Sequence, residues 1–290
     1  MNKDLIVTIH KIFPNLEWKK TKFITSGWDY DILLLDKNFV VRIPKNNEAE
    51  RRMPIDFCLL TYLQEKIDVH IPTPILKDTE SKIAIYKAVN GAPMSEVRYK
   101  KLKPHQKNKF AKIVSSFLSQ LHKIPKDAAC KCQVPEKDAI AENKEVASNS
   151  KLICSNVSQR EKSILDVFMK KRKKILKGFN PTLIHGDLTS ENIFIKKNFD
   201  DNLGIIDFSD AVIDDPARDF AALFSYGDQF VRTVIRHYQG SSRQKIFERA
   251  KIYYQEMAIT LMAWSIKGSK LIKMRDAKKI FHQRLNIKRV

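Results

Sequence analysis

Residues 183–208 read LIHGDLTSENIFIKKNFDDNLGIIDF, and this stretch decides the fold. An apolar strand leads into a short polar loop, a second apolar strand and a turn follow, and a third strand ends in an acid. Asn192 comes five residues after Asp187, and Asp207 follows Asp187 by twenty residues. An acid, an amide and a second acid at neighbouring strand edges form the pattern that phosphoryl transfer from a nucleotide requires.

Each of these residues fits a step of that chemistry. Asp187 can orient an attacking hydroxyl and accept its proton, while Asn192 and Asp207 offer a neutral and an anionic oxygen to Mg²⁺. Taken singly, an aspartate after glycine is usually a turn residue, and an asparagine after a loop is usually a cap. The joint spacing H-G-D-x-x-x-x-N followed by I-D-F is much rarer and favours the functional interpretation. The reaction assigns no proton transfer to His185, so we expect it to hold the loop by hydrogen bonds.

The stretch resembles the aminoglycoside phosphotransferase family, the antibiotic kinases with a protein-kinase-like fold. Residues 210–220, DAVIDDPARDF, are similar to the family's continuation, in which Asp219 corresponds to a buried acid that braces the catalytic loop. The resemblance implies an α+β, bilobal protein-kinase-like fold. Residues 1–88 would form a small antiparallel-sheet lobe that binds nucleotide, and residues 89–290 a larger, mainly helical lobe for catalysis and acceptor binding. It also implies Mg²⁺, with ATP or GTP as phosphoryl donor.

Length and composition indicate a globular protein. The chain has 290 residues, 43% of them hydrophobic, and it lacks both a long apolar run and a cleavable leader, so we expect no membrane span and no signal peptide. The net charge of +20 raises nucleic-acid binding as an alternative. Its basic clusters lie on predicted helices with little aromatic interleaving, which favours solvated faces and no nucleic-acid partner. We also expect a monomer. The four cysteines show no C-x-x-C pair, and the simple inference is a reducing cytoplasm.

The N-terminal third reads as strands and turns. Residues 18–24, 31–35 and 39–43 are predicted strands of an antiparallel sheet. The turn at Ser26 and Gly27 is a candidate loop over the nucleotide phosphates, because a kinase needs backbone amides there. With a single glycine, an ordinary hairpin is the alternative.

A cation and an acid are expected to hold the α- and β-phosphates. Arg42 ends the third strand, where a kinase places a cation that an acid on the next helix holds. We expect that helix at residues 54–64, with Asp56 one turn from its leucines, and we pair Asp56 with Arg42. Glu48 and Glu50 are the alternative acids. Most family members have lysine and glutamate, so this pair keeps the charges but changes reach and geometry.

Residues 83–89 read as a strand that leads into the connection between the lobes. In the family, the backbone from Lys87 to Val89 would hydrogen-bond the purine. A bulky Tyr86 before it would narrow the adenine pocket, so we expect GTP to be used at least as well as ATP. A half-buried strand tyrosine is the alternative.

The rest of the chain reads as mainly helical. Apolar residues recur at helical spacing in residues 110–122 and 253–266, and a helix with proline in its first turn is predicted at 216–230. Residues 125–159 are polar, and we expect this segment to be partly mobile.

The acceptor is less sharply indicated than the phosphoryl transfer. Residues 27–30, 40–45 and 84–87 resemble the macrolide branch, whereas Asn192 matches the aminoglycoside branches. The acids near the motif are few, which favours a macrolide or another weakly charged acceptor over a polycationic aminoglycoside; they are Asp210, Asp214, Asp215 and Asp228. We therefore expect a phosphotransferase that inactivates an antibiotic and so confers resistance. The alternatives are a small-metabolite kinase, a non-catalytic nucleotide-binding module and a nucleic-acid-binding protein.

Overall fold

The N-terminal region is an antiparallel sheet with two helices, as the sequence predicts. The structure is a computed structural model that describes residues 2–196, 203–240 and 243–287. The elements of the N-terminal region are α1 (Asn2–Ile12), β1 (Thr21–Ile24), β2 (Tyr30–Leu35), β3 (Phe39–Pro44), α2 (Asn47–Leu63), β4 (Thr73–Asp78) and β5 (Ile83–Lys87). The strands form one sheet of order β1-β2-β3-β5-β4.

The C-terminal part is mainly helical, with short strands around residues 183–214. Its elements are β6 (Ala92–Pro93), α3 (Glu96–Lys100), α4 (Pro104–Leu121), α5 (Lys126–Lys131), α6 (Ala139–Cys154), α7 (Gln159–Ile175), β7 (Thr182–Ile184), β8 (Ile193–Ile195), β9 (Leu203–Ile205), β10 (Val212–Asp214), α8 (Ala217–Ala222), α9 (Asp228–His237), α10 (Ile246–Ile266) and α11 (Met274–Arg284). Strand β7 pairs with β10, and β8 pairs with β6 and β9. Among the described helices, none has both the length and the apolar composition that a bilayer crossing needs.

The two faces of the N-terminal sheet bury different sets of side chains. Successive residues of a strand point to opposite faces, so Ile83 and Ile85 join the cluster under α1 while Ala84 and Tyr86 join the core with α2. Arg42 on β3 pairs with Ala84, which places both on the α2 face. The cation and the tyrosine singled out in the sequence therefore meet the helix that follows β3.

Helix α2 begins seven residues before the predicted start at residue 54. The Asn46 side chain accepts a hydrogen bond from the Ala49 amide at 2.8 Å and caps the helix there. Proline was interpreted as the first-turn residue, but Pro54 lies inside the helix. Strand β4 was not among the predicted strands, because prolines such as Pro72 and Pro74 disfavour a strand. An edge strand such as β4 tolerates proline, since one of its sides makes no ladder hydrogen bonds.

Residues 125–159, expected to be a polar and partly mobile segment, contain two helices. The segment forms α5 and α6, and the Asp138 carboxylate caps α6 by accepting from the Ile140 and Ala141 amides. Val146 and Ile153 on α6 are buried, so few apolar positions suffice to dock the helix.

The helix predicted at 216–230 is instead α8, a 3₁₀ turn and α9, interrupted at Gly227, whose φ of 100° ends a helical path.

A disulfide joins Cys58 on α2 to Cys132, which follows α5. The two cysteines are 74 residues apart, so no local spacing in the sequence predicts the pair. Cys130 and Cys154 are free thiols. The simple inference from the cysteines, unpaired thiols in a reducing compartment, therefore did not anticipate this bond.

Candidate active site

Asn192 donates the hydrogen bonds that close the loop between β7 and β8. Its side-chain amide nitrogen donates to both the backbone oxygen and the carboxylate of Asp187, each at 2.8 Å. The Thr189 amide donates to the Asp187 carbonyl at 2.9 Å and tightens the turn. Asp187 is half-buried, and burial together with the charges of Asp210 and Asp207 raises its pKa. The predicted base and the predicted amide ligand are thus in direct contact.

A fully buried carboxylate braces the start of this loop. Asp219 on α8 accepts hydrogen bonds from the backbone amides of His185 at 2.9 Å and Gly186 at 3.0 Å. It also accepts from His122 Nε2 at 3.0 Å, and the Tyr238 hydroxyl meets His122 Nδ1 at 2.7 Å. Burial alone would raise the pKa of Asp219, but the hydrogen bond and charge of His122, together with the charge and backbone amide of His185, lower the pKa overall. His122, at the C-terminal end of α4, therefore has a bracing role.

His185 holds the loop, as the sequence predicts. The Asp187 amide can only donate, so His185 Nδ1, at 3.3 Å, is the acceptor and the ring proton is on Nε2. That proton is donated to the Ile206 carbonyl at 3.0 Å. The ring thereby links the residue before Asp207 to Asp187.

Asn192 directly precedes β8 and Asp207 follows β9, so both lie at the same end of this antiparallel strand pair. The Ile206 amide donates to the Asn192 carbonyl at 3.0 Å, which aligns the start of β8 with the residue before Asp207. Asp207 has a left-handed backbone with φ of 66°, which is costly for a residue other than glycine and is typical of functional sites. Its side chain is 46% exposed and lies 4.0 Å from the Arg42 guanidinium.

Arg42 and Asp56 form a buried ion pair at 3.1 Å. The Tyr86 hydroxyl donates to the same Asp56 oxygen at 2.9 Å, and the guanidinium lies over the Tyr86 and Tyr30 rings. Burial opposes the charge of Arg42, but Asp56 together with Tyr86, Asp207 and Tyr30 outweighs it, and the pKa of Arg42 is raised. The predicted pair is therefore formed, and Tyr86, expected at the purine pocket, is anchored to it.

The alternative acids on α2 have other partners. Glu48 accepts hydrogen bonds from Arg51 and Arg52, and Glu50 accepts from Lys82 at 3.0 Å. These contacts lie on the exposed side of the helix and leave Asp56 as the acid that faces Arg42.

The loop at Ser26 and Gly27 is exposed, and hydrogen bonds from the Lys45 side chain hold it in place. The Lys45 ammonium group donates to the Thr25 carbonyl at 2.5 Å and to the Gly27 carbonyl at 2.6 Å. A Cβ atom at Gly27 would lie 2.8 Å from the Tyr30 carbonyl, so the turn requires glycine. Lys45 fixes a loop whose amides remain available to a ligand.

The segment Lys87 to Val89 leaves the sheet next to β9. The Ala88 amide donates to the Asn38 carbonyl at 2.7 Å. Because the backbone groups of successive residues in an extended segment alternate in direction, the amide and carbonyl of Val89 point away from Asn38. Gly204 on β9 leaves room for the Val89 side chain, because a Cβ atom there would lie 2.1 Å from Val89 Cγ1. The exposed side chain of Lys87 faces solvent, and only its backbone remains a candidate for purine binding.

Sequence and fold both relate this arrangement to known phosphotransferases. Residues 20–253 match the family model described as the phosphotransferase enzyme family. The chain belongs to this family. It is accordingly a phosphotransferase, a kinase that acts on an alcohol group.

Solved structures share the fold over nearly the whole chain. Wild-type aminoglycoside 2′-phosphotransferase-IIIa with GDP gives a TM-score of 0.86 at 19% identity and covers 99% of both chains. The ADP-bound aminoglycoside phosphotransferase APH(2″)-Ib gives 0.73 at 21% identity and covers 98% of this chain and 97% of its own. Macrolide 2′-phosphotransferase from Brachybacterium faecium gives 0.72 at 14% identity and covers 99% of both.

Sequence reasoning did not single out two cations of the phosphotransferase site. Lys45 lies within residues 40–45, which were noted only for their resemblance to the macrolide branch. Arg52 precedes the predicted helix at residues 54–64, so no role was assigned to it. Arg52 donates to the Asp210 carboxylate at 3.0 Å and lies 4.0 Å from Asp29, which follows the exposed loop. Arg52 precedes Asp56 by four residues, so a correct start of α2 would have put both on one helix face.

Gly186 is the residue of the catalytic loop least able to change. We expect Gly186→Ala to lower kcat about a hundredfold, since its Cβ atom would lie 2.2 Å from the Asp210 carbonyl and push Asp187 out of position. Gly178→Ala is the matched control: its φ is also positive, at 69°, but its Cβ atom would meet no described atom within 4 Å. Steady-state kinetics and thermal unfolding of both variants check this. Equal kcat losses would show that backbone strain alone matters.

The Arg42–Asp56 pair allows a double-mutant cycle. Arg42→Lys shortens one side chain and Asp56→Glu lengthens the other, so each single change misaligns the pair. The double variant has lysine and glutamate, the pair expected in most family members, and restores the distance that the two side chains span. We expect each single variant to raise the KM for nucleotide and the double variant to recover most of it, with a coupling energy on the order of 1 kcal/mol. Additive effects on nucleotide KM would mean that the pair does not position the phosphates.

Proposed function

We propose that this protein transfers the γ-phosphoryl group of a nucleoside triphosphate to a hydroxyl of an antibiotic and thereby inactivates it. One observation carries the proposal: the acid and amide of one loop, Asp187 and Asn192, lie beside Asp207, which in turn lies 4.0 Å from the Arg42–Asp56 pair. A base, two oxygen ligands and a phosphate-binding cation are thus close together, as nucleotide-dependent phosphoryl transfer requires.

Positioning and electrostatics account for the chemistry. Asp187 would hold the acceptor hydroxyl in line with the γ-phosphate and take its proton as the bond forms. Arg42, kept in place by Asp56, would bind the α- and β-phosphates, and the amides of Ser26 and Gly27 would cover them.

The residues present fit a magnesium ion. Asn192 uses its amide nitrogen on Asp187, which leaves the amide oxygen as the ligand, and Asp207 supplies a half-exposed carboxylate. Mg²⁺ usually takes one or two protein oxygens and completes its shell with phosphates and water. The bound ion would neutralise the charge that develops on the transferred group.

Either ATP or GTP is proposed as the donor. The structures similar in fold include GDP and ADP complexes. The backbone of Lys87 to Val89 would bind the purine, while Tyr86, with its hydroxyl on Asp56, forms the buried end of the same strand. Its bulk supports use of GTP at least as well as ATP.

The charges around the site support a weakly charged acceptor such as a macrolide. Four acids near the catalytic stretch have basic partners within this chain: Asp210 with Arg52, Asp214 with Arg218, Asp215 with Arg249 and Asp228 with Lys251. A polycationic acceptor would have to displace these cations, and each displacement costs binding energy. An acceptor with few charges avoids that cost.

An aminoglycoside is the second candidate acceptor. The fold similarity supports it, because the GDP complex of aminoglycoside 2′-phosphotransferase-IIIa superposes more closely than the macrolide enzyme, with TM-scores of 0.86 and 0.72. We also propose a cytoplasmic location, because ATP and GTP, the proposed donors, are available there. We propose that the lobes divide at residue 88, which directly follows β5.

Acceptor-stimulated nucleotide turnover tests the proposal. We expect a macrolide to stimulate turnover of ATP or GTP with Mg²⁺, and Asp187→Asn to lower kcat about 10²- to 10⁴-fold, because asparagine keeps the bond to Asn192 but cannot take the proton. The dissociation constant of the nucleotide should stay nearly unchanged in this variant. A panel of macrolides, aminoglycosides and small alcohols identifies the acceptor. Wild-type activity in the variant would exclude Asp187 as the base.

Arg52 provides a test of acceptor charge. Arg52→Gln removes the cation that pairs with Asp210, so we expect the KM for an aminoglycoside to fall about two- to fivefold while the KM for a macrolide changes less. Arg51→Gln is the matched control, since Arg51 is 76% exposed and bonds Glu48 beside it. An unchanged aminoglycoside KM in Arg52→Gln would show that Asp210 does not contact the acceptor.

A further inference from the structure

The disulfide Cys58–Cys132 links the helix of the phosphate-binding pair to the C-terminal part. Cys58 is two residues from Asp56 on α2, and Cys132 follows α5 directly. Cys58 is exposed, whereas Cys132 is 7% exposed. The bond therefore joins a solvent-accessible sulfur on one side to a buried sulfur on the other.

Helix α2 is attached to the C-terminal part on both sides of Asp56. Arg52 forms the salt bridge to Asp210 at 3.0 Å, and Cys58 forms the covalent bond. The two residues are six positions apart, or about 9 Å along the helix axis. Asp56 lies between these two attachments along the helix.

A surface cavity of about 670 Å³ opens beside the disulfide. Thr61 and Tyr62 from α2 line one side, and Pro125 and Lys131 line the other, with both cysteines between them. A small molecule can therefore approach the bond without prior unfolding of either helix. Exposed disulfides are more often labile or regulatory than buried ones.

We propose that this disulfide is a thiol-exchange site, at which a low-molecular-weight thiol opens the tether and weakens binding of the donor nucleotide. The thiolate attacks the exposed sulfur of Cys58, a mixed disulfide forms, and Cys132 leaves as a thiolate that takes up a proton. A second thiolate then attacks the sulfur of the bound small thiol and releases Cys58. Two small thiols are oxidised to one disulfide, and the protein disulfide is reduced to two thiols.

Nucleotide binding changes because the reduced protein loses the covalent attachment nearest Asp56. Ordering α2 under Arg42 then costs conformational entropy that the oxidised protein does not lose on binding. By thermodynamic linkage, bound nucleotide must oppose reduction by the same factor by which reduction weakens the nucleotide. This inference rests on the proposed nucleotide site.

Reduced glutathione is the probe for the exchange. Thiol labelling of the oxidised protein should count the two free cysteines, Cys130 and Cys154, and after glutathione the count should rise to four as the pair opens. The dissociation constant of ATP or GTP should rise about fivefold or more on reduction. Saturating nucleotide should raise the glutathione concentration needed for half-reduction. The equilibrium constant for reduction should fall by the same factor by which reduction weakens nucleotide binding.

Two variants control the measurement. Cys58→Ser combined with Cys132→Ser should bind nucleotide as the reduced wild type does, with or without glutathione. Cys130→Ser keeps the disulfide and should respond like the wild type. If the double variant does not fold, the reduced wild type still gives the reduced-state constant directly.

The outcomes separate this inference from the proposed function. A disulfide that glutathione leaves intact, or a nucleotide affinity equal in both redox states, overturns the exchange site while the phosphotransferase proposal stands. Absence of nucleotide binding in both states contradicts both proposals.

Discussion

Mutual repulsion among carboxylates is the constraint on which the rest of the site depends. Burial raises the pKa of Asp187, and the nearby carboxylates of Asp210 and Asp207 raise it further. Each has a group that offsets the repulsion: the amide of Asn192 for Asp187, Arg42 for Asp207 and Arg52 for Asp210. Both arginines come from the N-terminal region, so the carboxylates of the C-terminal part are held together by cations of the sheet and its helix. We propose that a metal ion and the nucleotide phosphates bind between these charges.

The backbone that carries these carboxylates is fixed by buried polar groups. Asp219 binds two loop amides and His122, while His185 joins Asp187 to the end of the next strand. Removing one partner of such a buried set leaves the others unsatisfied, at a cost of about 1–3 kcal/mol for each polar group. The conformation of the loop therefore depends on the buried groups Asp219, His122 and His185.

Local motifs predicted the centre of the site, and long-range contacts set its surroundings. Asp187 and Asn192 were found because a five-residue spacing between strands is written in the sequence, and the Arg42–Asp56 pair because charge and helix order indicate it. The start of α2 was misplaced because an internal proline resembles a first-turn proline. The disulfide between Cys58 and Cys132, and the contact of Arg52 with Asp210, join residues far apart in the chain. No local spacing in the sequence predicts such contacts, because they depend on how the N-terminal region packs against the C-terminal part.

Transfer of label from the γ-phosphate of a nucleotide to the acceptor is the most direct measurement. The protein would be incubated with Mg²⁺, γ-labelled ATP or GTP, and a macrolide or an aminoglycoside, and the acceptor analysed by mass spectrometry and ³¹P NMR. The arrangement of Asp187, Asn192, Asp207 and Arg42 predicts a phosphate monoester on one acceptor hydroxyl, carrying the label. Label found only in inorganic phosphate, or retained by the nucleotide with every acceptor, would contradict the assignment of this site to acceptor phosphorylation.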